Sequence, residues 1–411
     1  MATAATSQKA IAPFDVSDEI LYVEDSWREK FAYLRAEMPV SYCPESPFGG
    51  YWSVVTHDLV GAVELDWQTY SSSYKNGNIV IADPPPESNL QNFIASDPPV
   101  HTEQRKVITP AFSPSQMKGR EEQVVELCTE LFDGLPQGQT FDWVERVSIP
   151  LTMGMLCILF DMPLDERPQM KTWSDYAGGV SSDNLNEEWR AEWMQQMQAM
   201  LVRFDQLFDA RRGAEPADDL ISRMVHSDAM GNLNPFERLA NIALLIVGGN
   251  DTTRNSMSGL IAALNEFPGE LDKLHDDPKL IANAAQEIIR WQSPVLHMRR
   301  TAMCDTELGG QFIPKGEKVV MWYISANRDE AVFEEADRFD VTRKNARRHL
   351  AFGHGVHRCV GAKLAEIQIG TVITQIVERG WHVVQDGQVE RVKSPFLRAF
   401  ASMPVRIEQR A

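Results

Sequence analysis

Phe352-Gly-His-Gly-Val-His-Arg-Cys359-Val-Gly361 sets a single cysteine in a glycine-punctuated loop immediately ahead of a helical pattern. Apolar residues Val360, Leu364 and Ile367 recur at i, i+4 and i+7, the spacing of one helix face. Cys359 is therefore expected just before a helix N-terminus, where free N–H groups and the positive end of the helix dipole stabilise a thiolate. Gly353, Gly355 and Gly361 let the backbone fold tightly and approach a large flat ligand without Cβ clashes. Two plainer readings compete. An isolated cysteine is commonly a small buried apolar residue without chemistry. His349, His354, His357 and Cys359 also lie close in sequence, but their spacings match no usual structural-zinc pairing, and no second cysteine lies within C-x2–4-C reach.

The chain around this stretch is large enough to bury a substantial core, with 411 residues and 43% apolar content. Five scattered cysteines, an odd number, argue for a reducing compartment and against a disulfide framework. Met1 to Ile20 has neither a basic n-region nor an apolar h-region, and no long apolar run occurs, so a cytoplasmic protein without a membrane span is expected. A formal net charge of −18 argues against nucleic acid and anionic membranes as partners, and solubility is a sufficient explanation for it.

Four further stretches carry chemistry. Asp97-Pro-Pro-Val-His-Thr-Glu-Gln-Arg105 predicts a helix starting at its prolines, with His101 and Arg105 on one face. Asn234-Pro-Phe-Glu237 has an N-cap residue, proline at N1 and an acid at N3, and opens an apolar stretch that runs to Phe267-Pro268. A helix that long and apolar must cross the core, yet its middle reads Gly248-Gly-Asn-Asp-Thr-Thr253, poor helix material that is costly to bury without a purpose. Glu287 and Arg290 lie at i, i+3, ordinarily a surface pair. Ser293 to Ala302 contains Arg299 and Arg300, and residues 306–324 alternate in the manner of short strands. Tyr51 to Thr56, Trp381 to Val384 and Val405 to Ile407 also read as strands, while residues 115–225 read as helices interrupted at Pro163, Pro168 and Gly178-Gly179. The Met-rich run Trp193 to Met200 is expected in a helix core or lid. Pro84-Pro-Pro86 excludes regular helix within the irregular segment from Tyr74 to Ser96.

The pattern F-G-x-G-x-H-x-C-x-G resembles the cysteine loop of the cytochromes P-450, and the other stretches resemble that family's motifs in the family's order. The resemblance implies one domain, residues 1–411, mainly α with a smaller β-rich lobe (α+β), built around a long central helix on the distal side of haem b. It implies that Cys359 is the axial ligand of the iron, flanked by Phe352, Gly353 and Gly361. His101, Arg105, Arg300 and His357 would bind the haem propionates, Gly248 would make room for dioxygen, and Asp251 with Thr252 would deliver protons. Glu287, Arg290 and Arg343 would form a structural triad. A haem-thiolate monooxygenase would follow, inserting one atom of dioxygen into an aliphatic C–H bond. The chain ends at Ala411 without a fused flavin or ferredoxin segment, so electrons from NAD(P)H are expected through a ferredoxin reductase and a small ferredoxin. Lys344, Arg347, Arg348, Arg358 and Lys363 are candidates for a local docking patch on an otherwise acidic protein.

Residues 81–85, 92–95, 248–256 and 289–294 resemble the bacterial branch that hydroxylates terminal carbons of alkanes and fatty acids. His354, where an aromatic is more usual, and Glu87 to Gln91 depart from it. Such a hydrophobic small-molecule substrate calls for a narrow apolar channel, for which Ile79, Leu244, Val247, Leu296, Met298, Phe396 and Leu397 are candidates. Alternatives are a terpene or steroid side-chain hydroxylase, a peroxygenase, and a haem sensor that would not need the acid–threonine pair.

Overall fold

The computed structural model describes residues 9–83, 89–178 and 186–410. Pro84 to Ser88, Gly179 and the start of the N-terminal segment, each used above, lie outside the described residues. The fold is mainly helical, with a β-rich lobe whose largest sheet has five strands.

Helix Pro235–Glu266 is the axis of the molecule. It opens as its sequence predicts: the Asn234 side chain accepts from the amides of Phe236 and Glu237, and the Glu237 carboxylate accepts from the Asn234 amide. Its 32 residues span about 48 Å at the helical rise of ~1.5 Å per residue. Helices Ile149–Phe160, Arg167–Gly178, Glu187–Arg212, Ile281–Gln292 and Ala362–Glu378 pack around it. In helix Glu187–Arg212, Met197 and Met200 join this core while Met194 is exposed. The two mid-helix glycines have different surroundings. A Cβ on Gly249 would meet Leu156 at 2.8 Å, so this glycine permits close helix packing, whereas a Cβ on Gly248 would meet nothing within 4 Å.

The five-stranded sheet runs in the order Val40–Cys43, Tyr51–Val54, Lys318–Trp322, His297–Ala302, Tyr70–Ser71, with only the second pairing parallel. Register matters at strand His297–Ala302, which pairs antiparallel with Lys318–Trp322 and places Arg300 opposite Val319. Because side chains alternate along a strand, Met298 and Arg300 share one face while His297 and Arg299 share the other. On that second face His297 accepts from the Ile81 amide at 3.2 Å, and Arg299 and Lys318 both pair with Asp83. Arg299 is thus a buried anchor for the chain around residue 81.

The segment leading to Cys359 is held by helix Ile281–Gln292. Glu287 accepts two bonds from Arg290, at 2.8 and 2.7 Å, and one from Arg343 at 2.9 Å, all three side chains being buried. The two guanidiniums also donate to the carbonyls of Asn327, Glu334, Glu335, Ala336 and Arg338, so the charges are fully coordinated. Removing one member leaves buried charge uncompensated. Glu287→Ala is expected to cost about 3–5 kcal/mol, and loss of the exposed Lys106–Glu103 pair through Lys106→Ala under about 1 kcal/mol; denaturant midpoints of the purified variants check both values.

Candidate functional site at the cysteine loop

Cys359 lies between one turn of 3-10 helix, Gly355–His357, and helix Ala362–Glu378, whose N-cap is Gly361. Its amide donates to the Phe352 carbonyl at 2.7 Å, closing the loop on itself. Gly353 and Gly355 have φ values of 66° and 64°, the left-handed region that favours glycine. Helix His57–Leu65 also approaches closely at Gly355, where a Cβ would lie 2.8 Å from the Glu64 carbonyl oxygen. Cys359 has an exposed side chain although protein surrounds it, which means that it borders open space within the fold. Burial pushes its thiol upward, opposed by the amides of Gly361 and Ala362 and by the charges of Arg105 and Arg358. Those four groups would stabilise a thiolate, and a metal ion bound to the sulfur would add to them.

A basic cluster adjoins the loop. The rings of His101 and His357 lie against each other with centroids 4.2 Å apart and planes tilted by 55°. Both ring nitrogens of His101 and Nδ1 of His357 are buried without a hydrogen-bond partner. Burial and the neighbouring Arg105 and Arg300 lower His101 to about 4 against the pull of Asp97, and burial and the same neighbours lower His357 as well. Arg105 donates to the Arg358 carbonyl, and Arg300 pairs with Glu64 at 2.9 Å. Orphaned buried nitrogens beside two arginines fit an anionic guest such as the carboxylates of a haem.

Several members of this cluster were not legible in the sequence. Ser72 contacts His357 Nε2 at 3.0 Å, Asp97 accepts from the Ser72 amide at 2.8 Å, and Tyr323 donates to Glu64. The cue at Asp97 was present in its Asp-Pro-Pro context, but nothing local marks Glu64 or Tyr323.

In the long helix, Leu244, Gly248 and Thr252 lie at i, i+4 and i+8 and form a partly accessible stripe, Gly248 exposed and the other two partly buried. The Thr252 hydroxyl donates to the Gly248 carbonyl at 2.9 Å. Asp251 turns elsewhere. Its carboxylate accepts from Asn250 at 3.0 Å and pairs with Arg254 at 2.8 Å, and Gly178 covers it so closely that a Cβ there would lie 2.6 Å from Oδ2. Arg254 reaches Asp175, which pairs with Lys171 at 2.5 Å, so an ionic path runs from Asp251 to the partly exposed face of helix Arg167–Gly178. Asp251 and Thr252 thus sit on different sides of the helix and share no hydrogen bond among the described residues.

The channel candidates divide. Met298 and Phe396 are partly buried at the edge of the β-lobe core, Leu244 and Val247 are partly buried on the long helix, and Ile79 and Leu397 are nearly closed off. Leu296 is fully buried among Ile81, Val320, Trp322 and Ile324, so it fills the N-terminal core and lines no open space. No three His, Cys, Asp or Glu side chains converge to hold a metal ion among the described residues, and His349 instead contacts Gln286.

The profile of the family described as Cytochrome P-450 matches residues 54–408, and the chain belongs to that family. It is accordingly a monooxygenase, an oxidoreductase that incorporates oxygen, whose family uses haem b and draws on NAD(P)H through redox partners. Among solved structures it is similar to cytochrome P-450-153 from Novosphingobium aromaticivorans, 46% identical with a TM-score of 0.91, covering 96% of this chain and 99% of that one. Linalool 8-monooxygenase from Pseudomonas putida is 38% identical over 95% of this chain and 98% of its own. Steroid C26-monooxygenase from Rhodococcus jostii is 31% identical over 95% and 84%. No helix of the described residues is long and apolar enough to cross a membrane.

Burial pushes Asp251 up to about 6, Arg254 opposing and Asp175 adding to the rise. A carboxyl whose folded pKa is raised contributes stability that is complete below its unfolded pKa near ~4 and is lost as pH rises through the folded value. Relative to Asp251→Asn, the wild type should therefore lose stability between pH ~4 and ~7, by up to about 3 kcal/mol at ~1.4 kcal/mol per unit; chemical denaturation of both proteins across that range checks the slope.

Proposed function

We propose that residues 1–411 form a single haem domain in which the Cys359 sulfur would hold the iron. We further propose that the enzyme hydroxylates a terminal carbon of a medium-chain n-alkane or fatty acid with electrons from a small ferredoxin. The observation that carries the first part is an accessible cysteine sulfur, ringed by the Gly361 and Ala362 amides, beside buried histidine nitrogens that lack partners. In this reading His101, Arg105, Arg300 and His357 bind the two carboxylates of the haem, and Phe352, Gly353 and Gly361 flank the sulfur. When bound, haem supplies the activation of dioxygen and the oxidation of the C–H bond.

The chain's own contribution is to orient, to exclude water and to manage protons. Gly248 leaves open space on the accessible stripe, and Thr252 presents a hydroxyl beside it. Asp251 near 6 binds and releases a proton close to neutrality, and rotation away from Arg254 would bring that proton to the Thr252 side.

Terminal attack is supported by the stretches that resemble the alkane- and fatty-acid-hydroxylating branch and by the likeness to cytochrome P-450-153. Primary C–H bonds are the strongest in a chain, so selectivity there requires a channel that presents only the methyl end. A second reading, a monoterpene as substrate, is supported by the 38% identity to linalool 8-monooxygenase. Docking of an acidic ferredoxin is supported by a groove of about 610 Å³ lined by Arg347, Arg348, Arg358, His57 and His354 beside the cysteine loop.

Two experiments test this. Reduced wild type under carbon monoxide is expected to give the absorption of a thiolate-bound haem, and Cys359→Ser to lose it; a wild-type spectrum like that of a histidine-bound haem sinks the assignment. Product analysis after turnover with dodecane, lauric acid and linalool is expected to give terminal alcohols of the first two, whereas hydroxylated linalool alone would select the second reading. In the same assay Thr252→Ala should consume NAD(P)H with at least about tenfold less product per electron, the effect of a lost general acid–base contact.

A further inference from the structure

Glu64 is an acid in a basic site. Its carboxylate is buried, 2% exposed, and joins two partners: Arg300 at 2.9 Å through Oε2, and the Tyr323 hydroxyl, which donates to Oε1. It also packs beneath the cysteine loop, where a Cβ on Gly353 would lie 3.4 Å from Oε1. A buried carboxylate is retained only when paired, and here the pairing occupies an arginine of the cluster that fits the haem carboxylates. Arg300 has five N–H donors. One bond goes to Glu64 and one to the Arg299 carbonyl at 2.8 Å, which leaves donors for a second anion. Tyr323, which burial and Glu64 hold well above its usual range, stays a neutral donor and adds no charge.

We propose that Glu64 is a positioning residue that shares Arg300 with a haem propionate and, by placing a fixed negative charge beside the cofactor, lowers its reduction potential. The inference rests on the reading of Cys359 and the basic cluster as the haem site. Glu64 itself gives the direction: its buried carboxylate, held by Arg300 and the Tyr323 hydroxyl, brings a negative charge beside the cofactor that a neutral side chain in its place would not. Adding an electron next to that charge is opposed by Coulomb repulsion that the low-dielectric surroundings screen poorly. A resting haem that is harder to reduce takes up electrons from the redox partner less readily before substrate arrives.

The test is spectroelectrochemical titration of the haem-loaded proteins. Glu64→Gln keeps the shape and removes the charge, and its reduction equilibrium is expected to shift about tenfold toward the ferrous state, equivalent to 59 mV for one electron. Glu64→Asp keeps the charge while disturbing the packing, and is expected to stay within about twofold of wild type, under 20 mV on the same scale. A Glu64→Gln protein with unchanged potential overturns the inference, as does an equal shift in both variants, which would trace the effect to packing. Each titration is accompanied by the reduced carbonyl spectrum. A thiolate-type spectrum with an unmoved potential sinks only the role of Glu64, whereas a wild type without that spectrum sinks the haem-site reading beneath it.

Discussion

Buried histidine nitrogens without hydrogen-bond partners, set beside two arginines, are the constraint around which this site is built. Arg105, Arg300, His101 and His357 converge from helix Val100–Ile108, strand His297–Ala302 and the cysteine loop, and Glu64 is the carboxylate paired within the cluster. Uncompensated buried polar groups cost free energy, and the histidines answer by staying neutral. Their nitrogens still lack partners. An anionic ligand that satisfies them binds the folded chain and not the unfolded one, so cofactor binding and stability are linked by mass action. The same deficit gives the ligand an orientation, because its carboxylates must lie on the side where these side chains meet.

The long helix solves the opposite problem. It carries a run of polar residues through an apolar core, and it does so by giving Asn250, Asp251, Thr252 and Asn255 hydrogen-bond partners. Asn250 accepts from Thr152 at 2.8 Å and donates to Ser174 at 2.9 Å, tying the helices on either side. Asn255 donates back to the Asp251 carbonyl and accepts from the Phe400 amide. What is left over is Gly248 and Thr252 on an accessible stripe and a carboxylate held off that stripe by Arg254. The polar run is thus divided by helix periodicity: one side locks the helix in place, and the other faces open space.

Features encoded locally were legible in the sequence. The capping box at Asn234 is complete within four residues, and the helix after Cys359 announces itself through its own periodicity. The i, i+3 spacing of Glu287 and Arg290 showed that the two can meet, but local rules rank such a pair as a weak surface contact; its burial depends on carbonyls 37 to 48 residues further on. Glu64 and Arg300 are 236 residues apart, and Tyr323 is 259 residues from Glu64, so no window of sequence relates them. Leu296 shows a related limit: an apolar residue beside a site is equally suited to line it or to fill the core behind it, and its packing against Ile81, Val320 and Trp322 is set by tertiary contacts.

That triad and the cysteine loop have a common logic. Asn327 uses its side chain to accept from the Leu350 amide at 2.6 Å and to donate to Ser293 at 2.9 Å, while its own carbonyl accepts from Arg290. One residue therefore links the buried ion triad to the backbone two residues before Phe352. Buried ion pairs are a poor source of net stability, since desolvation offsets most of the attraction. They are directional, however, and their loss is severe. A loop whose glycines give it freedom to adopt φ values near 65° needs external anchors to hold one conformation. The ionic triad supplies them from one side and helix His57–Leu65 from the other, which fixes the sulfur by contacts that the loop could not make for itself.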